Sequence, residues 1–415
     1  MPDSVDLDPP ALATEPPYTR ISPGLVLLLG ALTAFAPLSV DMYLPSMPGI
    51  GLQLGSSASD AQITLATFFA GLAIGPFLYG PASDRWGRRP PLLVGIAVYI
   101  LASTACAFAP TIPFLAGARF VQALGGGAGA VIARAVVRDR FRAHDSARVL
   151  SLLMLIMGLG PVLAPFLGGA VLTVFSWRGI FGVLALFGST MGVATWFGLR
   201  ETRTPETAAQ ARDEHPARSY LALLRKPPMV GLMVSGSFSS APLFAYLSAA
   251  PAVVMGYYGV SRGHFIWVFG ANAASMIPAS QLNAQLLRRS LSPEQILVWA
   301  RPFSLIFAVV MAVDATTGFG GLWGVLAPLF CLLGVSGFIL PNVMAKGLSV
   351  DPRRIGSASA LLGGAQYCVG ALVSGLIAAA RDSSPRPLAY GVLASVIIST
   401  VALYAVGLSK PAKKA

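Results

Sequence analysis

GPASDRWGRRP, from Gly80 to Pro90, sets one acid and three arginines between two uncharged runs. A membrane-crossing helix needs about 20 mostly apolar residues, and neither Ala61 to Ser83 nor Pro90 to Ala118 contains Asp, Glu, Lys or Arg. The charged stretch is therefore a short turn between two membrane helices. Arginines in short loops stay on the cytoplasmic side, so Arg85, Arg88 and Arg89 place this turn inside the cell. That rule accounts for the arginines but not for Gly80, Gly87 or Asp84.

Composition extends the reading to the whole chain. With 55% hydrophobic residues, 11% charged residues and a mean hydropathy of +0.70, the 415 residues are too apolar for a water-soluble globule, in which about 25% are charged. The net charge of +12 does not point to nucleic acid, because the basic residues lie in turns between apolar runs and are not interleaved with aromatics. Cys106, Cys331 and Cys368 all fall inside apolar runs without metal-ligand spacing, so neither a disulfide framework nor a metal site is expected. No Gly-rich phosphate loop, metal-ligand pair or nucleophile triad occurs, and the sequence calls for no enzyme activity and no cofactor.

Twelve apolar runs follow one another at 22–45, 61–82, 91–109, 112–136, 148–173, 177–199, 229–254, 264–287, 296–314, 322–346, 355–379 and 387–408. Sorting Lys and Arg by side tests this count. The segments on the side of the Gly80 turn hold 22 of them and the opposite segments four, which fits an even number of spans with both termini cytoplasmic. Residues 1–21 read as a disordered cytoplasmic tail and 409–415 as a second tail. The hydrophilic stretch 200–228 divides the spans into bundles of six, at 22–199 and 229–408. The expected fold is an all-α membrane protein of two pseudo-symmetric six-helix bundles. SARVLSLL at Ser146 to Leu153 and GSASALLG at Gly356 to Gly363 open equivalent helices of the two halves, and repeats of this kind put a binding site at the membrane midplane.

The first span ends in PLSVDMYLPSMP, with Asp41 inside an otherwise uncharged helix. A carboxylate there costs about 2.5–3.5 kcal/mol on insertion scales, so it should face the interior and find a partner. Arg119, about seven residues into the fourth span from the same side, is the expected partner at similar depth. Such a carboxylate can exchange its proton for substrate; a static ion pair or a helix-end acid that reaches water are the alternatives. Gly125, Gly126, Gly127 and Gly129 let a neighbouring helix or a ligand approach the fourth span closely. In the fifth span, GLGPVLAPFLGGAVL bends and thins the helix at Gly160, Pro161, Pro165, Gly168 and Gly169, which packing alone would also explain. Tyr43, Gln122, Tyr246, Asn272, Asn342, Gln366 and Tyr367 are polar tips on apolar helices. They are candidate contacts for a drug-sized ligand, or else interhelical hydrogen bonds.

Several of these stretches resemble those of a known family. Gly80, Asp84, Arg85, Gly87, Arg88 and Arg89 look like the loop between the second and third helices of the major facilitator superfamily of secondary transporters. Arg119 with Gln122 and the glycines after them resembles the fourth-helix motif of proton-coupled facilitators. The fifth span resembles the antiporter motif of drug/proton exchangers, departing from it at Ala164 and Ile156. VDMYLPSMP, FAYLSAAPAVVMGYYGVS and LPNVMAKGLSVDPRRIGSASALLG extend the likeness to both halves and point to the Bcr/CflA family of bacterial drug-resistance transporters.

That resemblance implies a monomeric proton-driven exporter of small amphipathic antibiotics in the bacterial inner membrane, working by alternating access, with protons, drug and the lipid bilayer as its partners. It assigns proton coupling to Asp41 and Arg119. It also assigns a latch to the Gly80–Arg89 turn with Asp139, with Asp84 facing a helix end of the other half. Some related antiporters carry a second embedded acid where this chain has Thr33, so neutral drugs are expected to be preferred. The alternatives are an exporter or facilitator of a small metabolite, such as an amino acid or sugar, and a transporter-like sensor without turnover.

Overall fold

The computed structural model describes residues 22–56, 58–141, 143–203, 216–289, 291–351 and 354–405, and among them every regular element is a helix. The expected terminal tails and the middle of the hydrophilic stretch lie outside the described residues. In chain order the helices are α1 (Pro23–Thr33), α2 (Phe35–Asp41), α3 (Met47–Gln53), α4 (Ala58–Trp86), α5 (Arg89–Ala107), α6 (Ile112–Arg140), α7 (Ala143–Val174) and α8 (Trp177–Gly198). They continue as α9 (Pro216–Leu224), α10 (Pro227–Ala250), α11 (Arg262–Ala274), α12 (Met276–Arg288), α13 (Pro293–Thr317), α14 (Gly321–Ser349), α15 (Ile355–Ala379) and α16 (Pro385–Ala405). Short helical turns at Leu44–Ser46 and Pro251–Tyr257 extend α2 and α10.

Nine of the helices are long and apolar enough to cross a membrane among the described residues, and α1 with the helix after it makes a tenth, bent span. The two remaining expected spans correspond to α7, with its apolar portion at Leu159–Val174, and to the broken pair α11 and α12. Proline explains both breaks. A helical proline lacks an N–H and its ring clashes with the carbonyl four residues earlier. Pro37 stands four residues after Thr33, where α1 stops, and the chain turns by 44° there. Pro278 stands four residues after Ala274, where α11 stops. The sequence reading treated each of these as a continuous span. It also missed α9, an amphipathic helix inside the hydrophilic stretch whose Tyr220 ring meets Phe77 of α4 edge-on at 5.3 Å.

Close backbone approach fixes the first half. A Cβ on Gly125 of α6 would come within 2.6 Å of the Gly95 carbonyl oxygen and 2.5 Å of the Tyr99 nitrogen, both in α5. Gly129 faces the Leu32 carbonyl of α1, and Gly127 faces Gly75 of α4 at 3.5 Å. Each glycine thus seats a different neighbouring helix, and α6 becomes the post around which α1, α4 and α5 pack. α4 meets α15 where Gly364 lies against Phe77, and meets α10 through Phe69 and Phe244, whose rings stand 4.9 Å apart. α7 meets α11 through Gly169 on Ile266 and Phe166 on Trp267.

Candidate functional site

Arg119 is fully buried in α6, and an arginine in that position must find donors' partners or π faces because it does not lose its proton. One terminal nitrogen donates to the Ser39 carbonyl at 3.0 Å and to Gln122 Oε1 at 2.7 Å. Three aromatic rings surround the guanidinium, with centroids at 4.1 Å for Phe68, 4.7 Å for Tyr43 and 5.7 Å for Phe181. Desolvated cation–π contacts of this kind are worth about 2 kcal/mol or more. A chain of side chains extends the cluster. Gln122 donates to Ser103 at 2.8 Å, Tyr43 shares a hydrogen with Thr64 at 2.8 Å, and Ser39 shares one with Tyr99 at 2.7 Å.

Asp41 ends α2 and is buried, yet it makes no hydrogen bond or ion pair among the described residues. The expected Asp41–Arg119 pair does not form. Ser39 and the aromatic cage take the guanidinium, although Nε and the second terminal nitrogen of Arg119 remain without hydrogen-bond partners. Ser39, two residues before Asp41, reaches the guanidinium through its carbonyl, so Asp41 and Arg119 share a region without pairing.

The Gly80–Arg89 turn is a dense polar network. Arg88 is buried and bonds Asp139 of α6 through Nε at 2.7 Å and a terminal nitrogen at 3.2 Å, while its other terminal nitrogen bonds Asp84 and, at 3.1 Å, Ser83. Glu201, three residues past the end of α8, accepts the backbone N–H groups of Arg88 at 2.8 Å, Arg89 at 3.2 Å, Thr202 at 3.0 Å and Arg203 at 2.9 Å. Partial burial would raise its pKa, but those four donors outweigh burial and hold the carboxyl below the usual range. Glu201 also caps the start of α5, satisfying donors that a helix N-terminus leaves open. Arg203 returns the contact by donating to the carbonyls of Asp84 at 3.2 Å and Arg85 at 2.6 Å. Arg89 lies over the Trp196 ring at 4.9 Å.

This network explains two of the residues that the positive-inside rule left over, Gly87 and Asp84. Gly87 has φ +94°, in the left-handed region that favours glycine, and the Glu201 carboxylate occupies the space a side chain would take. Nothing in the structure explains the glycine at position 80, where a side chain would meet open space. The expectation for Asp84 is corrected: its carboxylate pairs with Arg88, four residues on in its own turn, rather than with a helix end of the other half. Sequence reasoning missed Glu201 altogether, because it stands among the charges of a hydrophilic stretch.

The helix-five residues form a seam. Gly160 of α7 sits on Pro37, Gly168 sits on the backbone of Met42, and Gly169 faces α11, while Pro161 and Pro165 remain inside a continuous helix. The polar tips divide into three groups. Tyr43 and Gln122 serve the Arg119 cluster, and Asn342 donates to Asn283 at 2.7 Å. Tyr246 and Asn272 are buried, but Tyr246 Oη and Asn272 Oδ1 have no hydrogen-bond partner. Gln366 and Tyr367 are half-buried on α15, with the Tyr367 ring 5.6 Å from Phe244.

Comparison with known proteins bears on the whole assembly. The family model described as Major Facilitator Superfamily matches residues 29–408. The chain is 32% identical over 379 residues to a bicyclomycin resistance protein homolog of Haemophilus influenzae, covering 91% of this chain and 95% of that protein. It is 28% identical over 381 residues to multidrug resistance protein MdtL of Escherichia coli K12, covering 92% and 95%. Among solved structures it matches an inward-facing bacterial homolog of the lysosomal transporter Spinster with TM-score 0.71 at 16% identity, covering 94% of this chain and 98% of that one. A D-xylose-proton symporter matches with TM-score 0.68 at 16% identity, covering 90% and 95%. At such identities the solved structures speak for the fold alone.

Proposed function

We propose that this chain, which belongs to the Major Facilitator Superfamily and is a multi-pass membrane transporter, uses inward proton movement to expel small amphipathic antibiotics or drugs. The observation that carries the proposal is Asp41, a buried carboxylate without hydrogen-bond or ion-pair partners among the described residues. As the halves rock, such a group passes between a dry interior and a water-filled cleft, and it takes up or releases a proton with the change. Arg119 and its aromatic cage hold a fixed positive charge nearby. The bend at Thr33 lets α2, which carries Asp41, reorient against α1.

Drug export is supported by the names of the relatives at 32% and 28% identity, a bicyclomycin resistance protein homolog and a multidrug resistance protein. The orphaned Tyr246 Oη and Asn272 Oδ1 act as ligand-orienting groups in an otherwise apolar surface. One lone carboxylate does not offset two buried positive charges, so neutral or zwitterionic substrates are preferred over divalent cations. The protein works as a monomer in the bacterial inner membrane with both termini cytoplasmic, a placement supported by 22 basic residues on one side against four on the other. The Gly80–Arg89 turn with Asp139 acts as a stiff gate element, and α7 slides on its glycine seam as the halves move.

Proteoliposomes test the reading. Each proton exchanged for a neutral drug moves one charge, worth about 2.3 kcal/mol per 100 mV, so collapsing the potential with valinomycin and potassium should slow neutral-drug efflux at a fixed pH gradient. Asp41→Asn should abolish proton-coupled efflux while leaving drug binding measurable. Full coupling in Asp41→Asn, or robust export of divalent cations, would overturn the proposal.

A further inference from the structure

Two arginines on α6 take no part in the clusters described above. Arg134 and Arg138 are exposed and have neither a hydrogen bond nor an ion pair among the described residues. Arg134 stands six residues, about 9 Å, before α6 ends at Arg140, inside a helix long and apolar enough to cross a membrane. An arginine at that depth is costly in lipid and faces the bundle interior or a water-filled space. Helix periodicity and contacts give the direction. Arg134 lies seven residues after Gly127 and Arg138 four beyond that, so the three share the face of α6 that meets Gly75 of α4. Farther along, that face turns to α15. A Cβ on Gly356 would lie 3.9 Å from a terminal nitrogen of Arg138, and Arg134 and Tyr367 are near enough for the charge of each to act on the other.

The facing stripe of α15 leaves room for a ligand. Gly356, Gly363 and Tyr367 fall at helical spacing on one face, Gly356 is exposed, and a Cβ on Gly363 would meet no atom within 4 Å. Deeper between the helices, the Tyr367 ring lies 5.6 Å from that of Phe244, which lies 4.9 Å from that of Phe69. The space between α6 and α15 is therefore cationic toward the Gly80–Arg89 turn and aromatic beyond it. Arg119 is enclosed by acceptors and rings, whereas these two guanidiniums keep their donors free toward an open space. A planar guanidinium presents paired N–H groups to a carboxylate, and two of them one helical turn apart can serve both of its oxygens. We infer that Arg134 and Arg138 receive the carboxylate of an amphipathic substrate whose apolar body lies against Tyr367 and Phe244. The inference rests on the reading of this chain as a drug exporter and narrows its substrates toward carboxylate-bearing amphiphiles, zwitterions included.

The test measures binding of dansyl-phenylalanine and of its methyl ester to the purified full-length protein in detergent, read by dansyl fluorescence. The two probes share one apolar body and differ in the carboxylate. Wild type should bind the carboxylate about tenfold tighter than the ester at low salt, with the preference shrinking as ionic strength rises. Arg134→Gln/Arg138→Gln should cut that ratio to about twofold or less, and Arg134→Lys/Arg138→Lys, which keeps the charge but not the planar fork, should retain part of it. Neither arginine bonds another described residue, so both double variants should elute as wild type does on size-exclusion chromatography. A wild-type ratio near one, or an unaltered ratio in the folded glutamine variant, would overturn the inference. Neutral-drug efflux from proteoliposomes tests the export reading separately. Coupled efflux without a carboxylate preference removes this inference alone, whereas a carboxylate preference without coupled efflux removes the export reading alone.

Discussion

Removing the Asp139 carboxylate should cost much more stability than removing that of Asp84, although both pair with the same arginine. The Asp139 side chain is 6% exposed and that of Asp84 is 42% exposed, against 1% for Arg88. An exposed pair contributes about 0–1 kcal/mol, whereas breaking a buried one costs about 3–5 kcal/mol when the surviving charge is left alone. Arg88 keeps Asp84 and Ser83 in Asp139→Asn, so the cost falls nearer 2–3 kcal/mol, the range of hydrogen bonds to charged groups. At about 2–4 °C per kcal/mol that is a loss of roughly 4–12 °C in Tm, against less than about 4 °C for Asp84→Asn. Size-exclusion chromatography after graded heating of detergent-purified protein reads the difference. The double variant should lose more than the sum of the singles, because only then does Arg88 lack both carboxylates. An equal or larger loss in Asp84→Asn, or an additive double variant, would refute the assignment of Asp139 as the principal anchor.

Two further outcomes follow from the same half of the molecule. The Glu201 carboxyl has a depressed pKa in the folded protein, so its stabilisation is complete above its unfolded pKa of about 4.3 and fades as pH falls through the lower folded value; Glu201→Gln should therefore lower Tm at pH 6–8, with the gap to wild type closing below about pH 4. Gly125→Val in α6 should reduce the yield of folded protein and lower Tm by about 5 °C or more, since its side chain would collide with the α5 backbone at Gly95 and Tyr99; unaltered stability would show that α5 and α6 separate at little cost.

The spans were legible because a bilayer imposes a length and an absence of charge that any reader of the chain can count. The bends were not, even though their causes were in view. Pro37 and Pro278 interrupt helices, but Pro76, Pro161 and Pro242 sit within continuous ones, because neighbouring packing decides whether a proline breaks a helix or merely bends it. The charged groups divide similarly. Depth along the membrane normal follows from counting residues, and it placed Asp41 and Arg119 in one layer. Their partners depend on rotation about each helix axis, which the count does not give, and so the cation met Phe68, Tyr43 and Phe181 instead.

The Glu201 knot also decides where this polypeptide can be divided. By helix length alone the first half ends at Gly198, yet Glu201, Thr202 and Arg203 supply acceptors and donors to the turn before α5 and to Asp139. A fragment trimmed at Gly198 would expose the amide start of α5 and strip one of the contacts of Asp139, so it would be prone to degradation. One extended through Arg203 keeps its own clasp. For co-expression of separate halves, or for inserting a reporter domain, the workable boundary therefore lies beyond Arg203, and the last five residues belong to the first bundle as much as any of its helices do.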